Sequence, residues 1–84
     1  MFQIIILKKV NQFINKLPNA EKVREKLGRL KDFNSDNNLR LDIERFKGKS
    51  KNRYRIRIGE IRYIFEVVED KIFIDTANYR GRVY

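Results

Sequence analysis

The chain has 84 residues, enough for one hydrophobic core and too few for two, so we expect a single domain over residues 1–84. Hydrophobic residues make up 42% of the chain and charged residues 37%, which excludes both a disordered tail and a membrane-embedded protein. Cysteine and histidine are absent, which excludes disulfides, Cys or His nucleophiles, His general bases and zinc sites. Twenty basic residues against 11 acidic ones give a net charge of +9, which is typical of proteins that bind nucleic acid or an acidic partner.

The longest apolar run is Ile4 to Leu7, far shorter than the roughly 18 residues that a membrane span requires. Met1 leads into this run without the basic segment that opens a signal peptide. We therefore predict a cytoplasmic protein that makes no membrane contact. The sequence has neither a glycine-rich phosphate loop nor an acidic cluster suited to Mg²⁺, so we expect no metal and no other cofactor.

The first half of the chain predicts one strand followed by two helices. Residues 2–7 form a short β-branched run typical of a strand. Apolar residues then recur at the spacing of one helical face: they are Val10, Phe13, Ile14 and Leu17. Pro18 disfavours the helical conformation at the residue before it and so ends this helix, while Asn19 can cap the next one.

The second helix has an apolar stripe that we expect to be buried: Ala20, Val23, Leu27 and Leu30. Gly28 weakens this helix, and one reason for a glycine here is a close contact between helices. Lys22, Lys26 and Arg29 form a basic surface on the helix. We interpret that surface as a solvated face, with contact to an acidic partner helix as the alternative.

The second half predicts strands. The polar residues 34–38 predict a loop, after which Leu39, Leu41 and Ile43 alternate with charged residues as in a half-buried strand. A last strand is predicted over residues 71–78. Together with the N-terminal strand and the helical hairpin, these elements predict an α+β fold in which antiparallel strands form a twisted sheet with the helices on one face.

Between those strands lies a β-hairpin. Gly59 suits the first central position of a type II′ turn, which places Arg57 opposite Arg62. The same register puts six apolar residues on one side, where the helices should pack: Tyr54, Ile56, Ile58, Ile61, Tyr63 and Phe65. Both tyrosines of this set are therefore predicted to belong to the core.

Positive charge is concentrated around this hairpin, since residues 45–62 contain eight basic residues and one acidic residue. A sheet face that serves only solubility would mix Lys with Glu, because like charges directly opposite each other destabilise a hairpin. Arginine dominates the strand positions, which favours bidentate contacts with phosphate. We therefore favour phosphate binding by this face over a solvated surface.

The order of the elements and three motifs resemble the RelE/ParE superfamily of toxins from toxin–antitoxin pairs. The motifs are Y-R-I-R-I-G-E-I-R at residues 54–62, the preceding Phe46-Lys47-Gly48, and the ending Tyr79-Arg80-Gly81-Arg82-Val83-Tyr84. The resemblance covers nearly the whole chain, and the archaeal and bacterial RelE branch is the most similar. It implies a RelE-like fold, metal-independent cleavage of mRNA in the ribosomal A site, and an acidic RelB-type antitoxin that joins the toxin in a higher oligomer.

The resemblance also implies site residues. Arg55 and Arg57 match two basic strand positions of the RelE site, and Arg62 matches its hairpin arginine. Arg80 and Tyr84 match its late arginine and its C-terminal tyrosine. We predict these five as catalytic residues. The predicted RNA contacts are Lys47, Lys49, Lys51, Arg53 and Arg82.

The RelE pattern has lysines where this chain has Arg55 and Arg57. Arginine stays protonated in proteins, so neither residue is a general base. The candidates for proton transfer are Tyr84, which we favour, and then Tyr79, Lys47, Lys49, Lys51 and Glu66. Tyr79 and Tyr84 have two alternative roles besides proton transfer: stacking on RNA bases, and anchoring the end of the chain.

Three other functions fit the same fold. The ParE branch of the superfamily poisons DNA gyrase without cleaving RNA. A member could also be inactive and retain only antitoxin binding, or act in a DNA-binding corepressor complex. The co-occurrence of the strand arginines with Arg80 and Tyr84 favours RNA cleavage, because gyrase binding does not require that set.

Overall fold

The computed structural model describes residues 1–34, 41–45 and 52–79, and within them it has the predicted α+β fold. The elements are β1 (Gln3–Ile6), α1 (Lys8–Asn15), α2 (Ala20–Gly28), a 3₁₀ helix (Arg29–Asp32), β2 (Asp42–Arg45), β3 (Arg53–Ile58), β4 (Ile61–Val68) and β5 (Lys71–Tyr79). The strands of these ranges form one sheet in the order β1-β5-β4-β3-β2. Across the described ranges, none of the helices has the length and apolar character needed to span a membrane.

The sheet is mixed. Strands β2 to β5 are antiparallel as predicted, but β1 pairs with β5 in parallel, from Gln3 opposite Lys71 to Ile6 opposite Ile74. This register aligns the apolar alternation of the two strands, so that Ile4 and Ile6 join the core beside β5. Alternation of side chains has the same period in parallel and antiparallel strands, so the sequence pattern could not distinguish the two directions.

Helix α1 ends at Asn15, before Pro18, and buries Val10 and Ile14 as its spacing predicted. Asn19 is the N-cap residue of α2, also as predicted, but its side chain makes no capping hydrogen bond. The φ and ψ angles of Asn19 are −111° and 34°, outside the extended region that N-cap residues typically adopt.

The close helix contact suggested as one reason for Gly28 is not found. A Cβ atom added at this glycine meets no atom of residues 1–34, 41–45 and 52–79 within 4 Å, so no close helix contact in that part of the chain requires it. Its φ of −63° and ψ of −25° are ordinary helical values that any residue adopts. The glycine lies where α2 passes into the 3₁₀ helix.

The core lies between the helices and one face of the sheet, as predicted. The buried residues of the described ranges form one cluster: Val10, Ile14, Val23, Leu27, Leu30, Phe33, Leu41, Tyr54, Ile56, Ile58, Ile61, Tyr63, Phe65, Ile72 and Ile74. Phe33 contacts the rings of Tyr54 and Phe65 edge-on, with centroids 4.9 and 5.4 Å away. These contacts join the segment after the 3₁₀ helix to the centre of the hairpin.

The hairpin has the predicted register and turn. Ile58 pairs with Ile61, and Gly59 has a φ of +62°. Glu60 has no positive φ, so only the first central residue is left-handed, which is the φ pattern of a type II′ turn. In the predicted second strand, Leu41 is buried and Ile43 is half-buried. Leu39 and the predicted loop beyond Asn34 lie outside the described residues.

Candidate functional site

The predicted arginine face lies on the side of the sheet away from the helices. Arg53, Arg55 and Arg57 alternate along β3 with buried residues, so their side chains leave the sheet on its open side. On β4, Arg62 pairs directly opposite Arg57, as the turn predicted. Because one apolar face fixes the register of the hairpin, the opposite face is fixed with it.

Strand β2 adds carboxylates that the sequence analysis did not connect to this face. Asp42 pairs with Arg57 in the strand register, and Glu44 pairs with Arg55. The distance from Arg57 Nη2 to Asp42 Oδ2 is 2.7 Å, and that from Arg55 Nη2 to Glu44 Oε1 is also 2.7 Å. The other oxygen of Asp42 lies 3.9 Å from Arg55 Nη2.

Of the four arginines, Arg53 has the most extensive contacts with carboxylates among the described residues. Its guanidinium donates to Glu66 Oε1 at 3.0 Å and to both oxygens of Asp75, at 2.9 and 3.1 Å. The hydrogen bonds with Asp75 raise the pKa of Arg53, against the lowering effect of burial. Burial alone would raise the pKa of Asp75, but the hydrogen bonds from Arg53 and Thr76 outweigh it and hold that pKa below its ordinary value.

Asp75 lies at a β-bulge in β5. The register of β4 and β5 shifts between Ile64, which pairs with Thr76, and Phe65, which pairs with Ile74. Asp75 is the extra residue of this bulge and has no partner in β4. Thr76 Oγ1 donates to Asp75 Oδ1 at 2.8 Å and so helps to orient the carboxylate.

Arg62 differs from the three arginines of β3. Its side chain is exposed, and no carboxylate within the described ranges pairs with it. The strand pairings form one row across β2, β3 and β4 that consists of Asp42, Arg57 and Arg62. At the β4 end of this row two guanidinium groups lie on neighbouring strands, a geometry suited to an anion with several oxygens, such as a phosphodiester.

Carboxylates compensate the positive charge of this face. The four arginines share it with the carboxylates of Asp42, Glu44, Glu66 and Asp75, so these eight side chains have no net charge. The alternation of charged residues in β2 was visible in the sequence, but which strand lies beside β3 is a property of the fold. Asp75 alternates with the apolar Ile74 in the sequence, but its contact with Arg53 depends on the order of the strands in the sheet.

Several predicted site residues lie outside the described residues. They are the catalytic candidates Arg80 and Tyr84 and the RNA-binding candidates Lys47, Lys49, Lys51 and Arg82. Tyr79 is described, and it packs edge-on against Phe13 of α1 with the ring centroids 5.6 Å apart. In the sheet it pairs with the buried Ile61, on the helix side, whereas Glu66 lies on the arginine face and accepts a hydrogen bond from Arg53.

No protein-family model and no curated protein sequence matches the chain. Among solved structures, it is similar to a chain of the RelB–RelE antitoxin–toxin complex from Methanococcus jannaschii, with 31% identity, a TM-score of 0.67, and coverage of 89% of this chain and 88% of that one. It is also similar to a chain of the archaeal RelE–RelB complex from Pyrococcus horikoshii OT3, with 25% identity, a TM-score of 0.78 and 98% coverage of both chains.

The isolated E. coli RelE toxin has the same fold at 13% identity, with a TM-score of 0.74 and coverage of 99% of this chain and 88% of that one. The likeness to the two archaeal structures extends over nearly the full length of both partners in each comparison. The chain therefore belongs to the RelE-type toxin superfamily.

Proposed function

We propose that the chain is the toxin of a type II toxin–antitoxin pair and cleaves mRNA on the ribosome. The observation that carries this proposal is the Arg57–Arg62 pair on the open face of a RelE-type fold. Neither arginine contributes to the core, because both side chains point away from the buried cluster. Two guanidinium groups in neighbouring strands suit the extra negative charge of a phosphoryl transition state.

In the proposed reaction the RNA supplies its own nucleophile. The 2′-hydroxyl oxygen attacks the adjacent phosphorus, and the bond from that phosphorus to the 5′ oxygen of the next nucleotide breaks. The products are a 2′,3′-cyclic phosphate and a 5′-hydroxyl. Arg57 and Arg62 would bind the equatorial oxygens of the phosphorane, whose charge is greater than that of the ground state, and so accelerate the step by stabilising its transition state.

The proposed reaction also requires two proton transfers, one from the 2′-hydroxyl and one to the departing 5′ oxygen. General acid–base help is commonly worth about 10² to 10⁴ in rate. Glu66 and Tyr79 are weakened as candidates, because the carboxylate of Glu66 is bound to Arg53 and the ring of Tyr79 packs on α1. We keep Tyr84 as the proposed proton donor or acceptor, followed by Lys47, Lys49 and Lys51.

The proposed partners follow from the same family membership. The two archaeal relatives were solved as complexes with RelB, so we propose an acidic RelB-type antitoxin for this chain, in a complex of higher order. A net charge of +9 favours association with an oppositely charged partner. We further propose that the toxin acts in the cytoplasm, where mRNA and ribosomes meet.

Replacing Arg62 tests the proposal directly. We expect Arg62→Ala to lose about 10² to 10³ in cleavage rate, the usual cost of removing one donor to a transition-state charge. Its melting temperature should stay close to that of the wild type, because an exposed side chain without an ion pair normally contributes no more than about 0.5 kcal/mol. The measurement is mapping of mRNA ends after incubation with programmed ribosomes, beside a thermal melt.

Arg29→Ala is the matched control, since it removes an exposed arginine from the helix side, where the side chain pairs only with Glu25 of α2 among the described residues. We expect this variant to cleave at the wild-type rate.

A DNA gyrase supercoiling assay runs in parallel. Wild-type protein that cuts no message but traps gyrase on DNA would replace the endonuclease proposal with the ParE-type function.

A further inference from the structure

Asp42 lies at one end of the row that carries the proposed reaction. It pairs with Arg57 in the register of β2 and β3, and Arg57 pairs with Arg62 in the register of β3 and β4. Two guanidinium groups directly opposite each other on neighbouring strands repel. Without a nearby negative charge, their long side chains would splay apart and leave no defined anion site.

The carboxylate of Asp42 opposes this splaying. One of its oxygens lies 2.7 Å from Arg57 Nη2, and the other lies 3.9 Å from Arg55 Nη2. A short side chain on an edge strand thus restrains Arg57 and lies within ion-pair distance of a second arginine of the neighbouring strand. The contact is made at one terminal nitrogen of Arg57, and a guanidinium has five N–H donors, so donors remain for a phosphate.

Resting on the proposed function above, we propose that Asp42 is a positioning residue that holds Arg57 in the orientation in which it and Arg62 contact the same phosphate. Asp42 itself does not touch the reacting atoms. Its negative charge also repels the RNA backbone, so it weakens RNA binding while it speeds cleavage. This opposition distinguishes a positioning role from simple competition with RNA for the arginines. A carboxylate that only competed would weaken RNA binding and slow cleavage together.

The experiment compares Asp42→Asn with the wild type in two assays. In single-turnover cleavage on programmed ribosomes, we expect a rate lower by roughly tenfold to hundredfold, as small misplacements of catalytic groups produce. In fluorescence anisotropy with a labelled single-stranded RNA oligonucleotide and the free protein, we expect binding about two- to fivefold tighter, because one repulsive charge is gone. Asp42→Glu should recover part of the cleavage rate.

Glu69→Gln is the charge-matched control, since it removes one carboxylate from the exposed turn between β4 and β5. It should leave the cleavage rate unchanged. Asp42→Asn that cleaves at the wild-type rate, or that both binds RNA more tightly and cleaves faster, overturns the positioning role while leaving the proposed function intact. If the wild type cleaves no message, the proposed function fails, and the role of Asp42 fails with it.

Discussion

At the scale of single residues, the environment separates side chains that the sequence presents as equivalent. Arg53 and Arg62 are both arginines on the open face of one hairpin. The first is held by two carboxylates and is one-quarter exposed, whereas the second is exposed and has no carboxylate partner within the described residues. A phosphate that binds Arg53 must compete with the charges of Glu66 and Asp75, so Arg62 is the better-placed cation for the proposed cleavage, and the RNA-binding role of Arg53 stays a prediction.

Tyr63 is a second residue whose environment is unusual. Its side chain is fully buried in the core, and among the described residues its hydroxyl group has no hydrogen-bond partner. Burial, together with the charge of Tyr79, raises the pKa of Tyr63 to about 12. A buried hydroxyl without a partner normally costs about 1 to 3 kcal/mol relative to its hydrated state.

We therefore expect Tyr63→Phe to be at least as stable as the wild type at neutral pH. The free energies of unfolding of the two proteins should diverge at alkaline pH. Because the folded pKa of Tyr63 lies above its unfolded value near 10, its contribution to stability is complete below pH 10 and is lost as the pH rises toward 12, by up to about 3 kcal/mol. Urea unfolding at pH 7 and at several pH values above 9 checks this. Parallel pH profiles for the two proteins would contradict it.

At the scale of secondary-structure elements, local irregularities decide what the sheet presents. The bulge in β5 contains Asp75, which pairs with Arg53, and it shifts the alternation of the strand, so that Tyr79 lies on the helix side against Phe13. Without that extra residue, the side chains after Asp75 would exchange faces. One inserted position thus determines the environment of a predicted proton-transfer residue.

Gly28 and Gly59 give a paired prediction at this scale. Gly28 has helical angles and space for a side chain, so Gly28→Ala should stabilise the protein by about 0.5 to 1 kcal/mol and raise the melting temperature by roughly 2 to 8 °C. Gly59 has a φ of +62°, so Gly59→Ala should destabilise by about 1 to 2 kcal/mol. Thermal melts of both variants provide the test. A lower melting temperature for Gly28→Ala would show that the glycine has a structural role at this position.

At the scale of the whole molecule, the positive charge is unevenly distributed. Residues 1–34, which include both helices, contain eight basic and three acidic residues, whereas residues 52–79 contain five of each. Residues 41–45 add one basic and two acidic residues, so the described residues from 41 onward have a net charge of −1, whereas the helix side is strongly basic. An acidic partner would be attracted to the whole molecule over a distance of about one Debye length, roughly 10 Å at 0.1 M salt.

We expect association with the proposed acidic antitoxin to be electrostatically steered. The association rate constant should fall by at least about tenfold between roughly 0.05 and 0.5 M salt, while the dissociation rate constant changes much less. Stopped-flow or surface-binding kinetics with the purified antitoxin measure both constants. Association that is insensitive to salt would mean that apolar contacts alone guide the encounter.

Arg62→Ala should bind the antitoxin nearly as the wild type does, since it removes one charge from a neutral face.

The amino-acid sequence by itself determined the local elements and the two faces of the hairpin. The spacing of Val10 and Ile14, the stop at Pro18 and the turn at Gly59 depend on interactions within a few residues, and alternation in a hairpin assigns every side chain to a face once the turn is known. The similarity of the hairpin motif to RelE toxins came from the same short segment.

Only the tertiary structure decided which strands lie side by side. The parallel pairing of β1 with β5 and the placement of β2 beside β3 join segments that are distant in the sequence, and the bulge at Asp75 changes a register that no local pattern marks. Those pairings brought Asp42, Glu44 and Asp75 to the arginine face. A charge pattern read along the chain shows the density of positive residues, but neutralisation depends on distances across strands, which only the folded sheet defines.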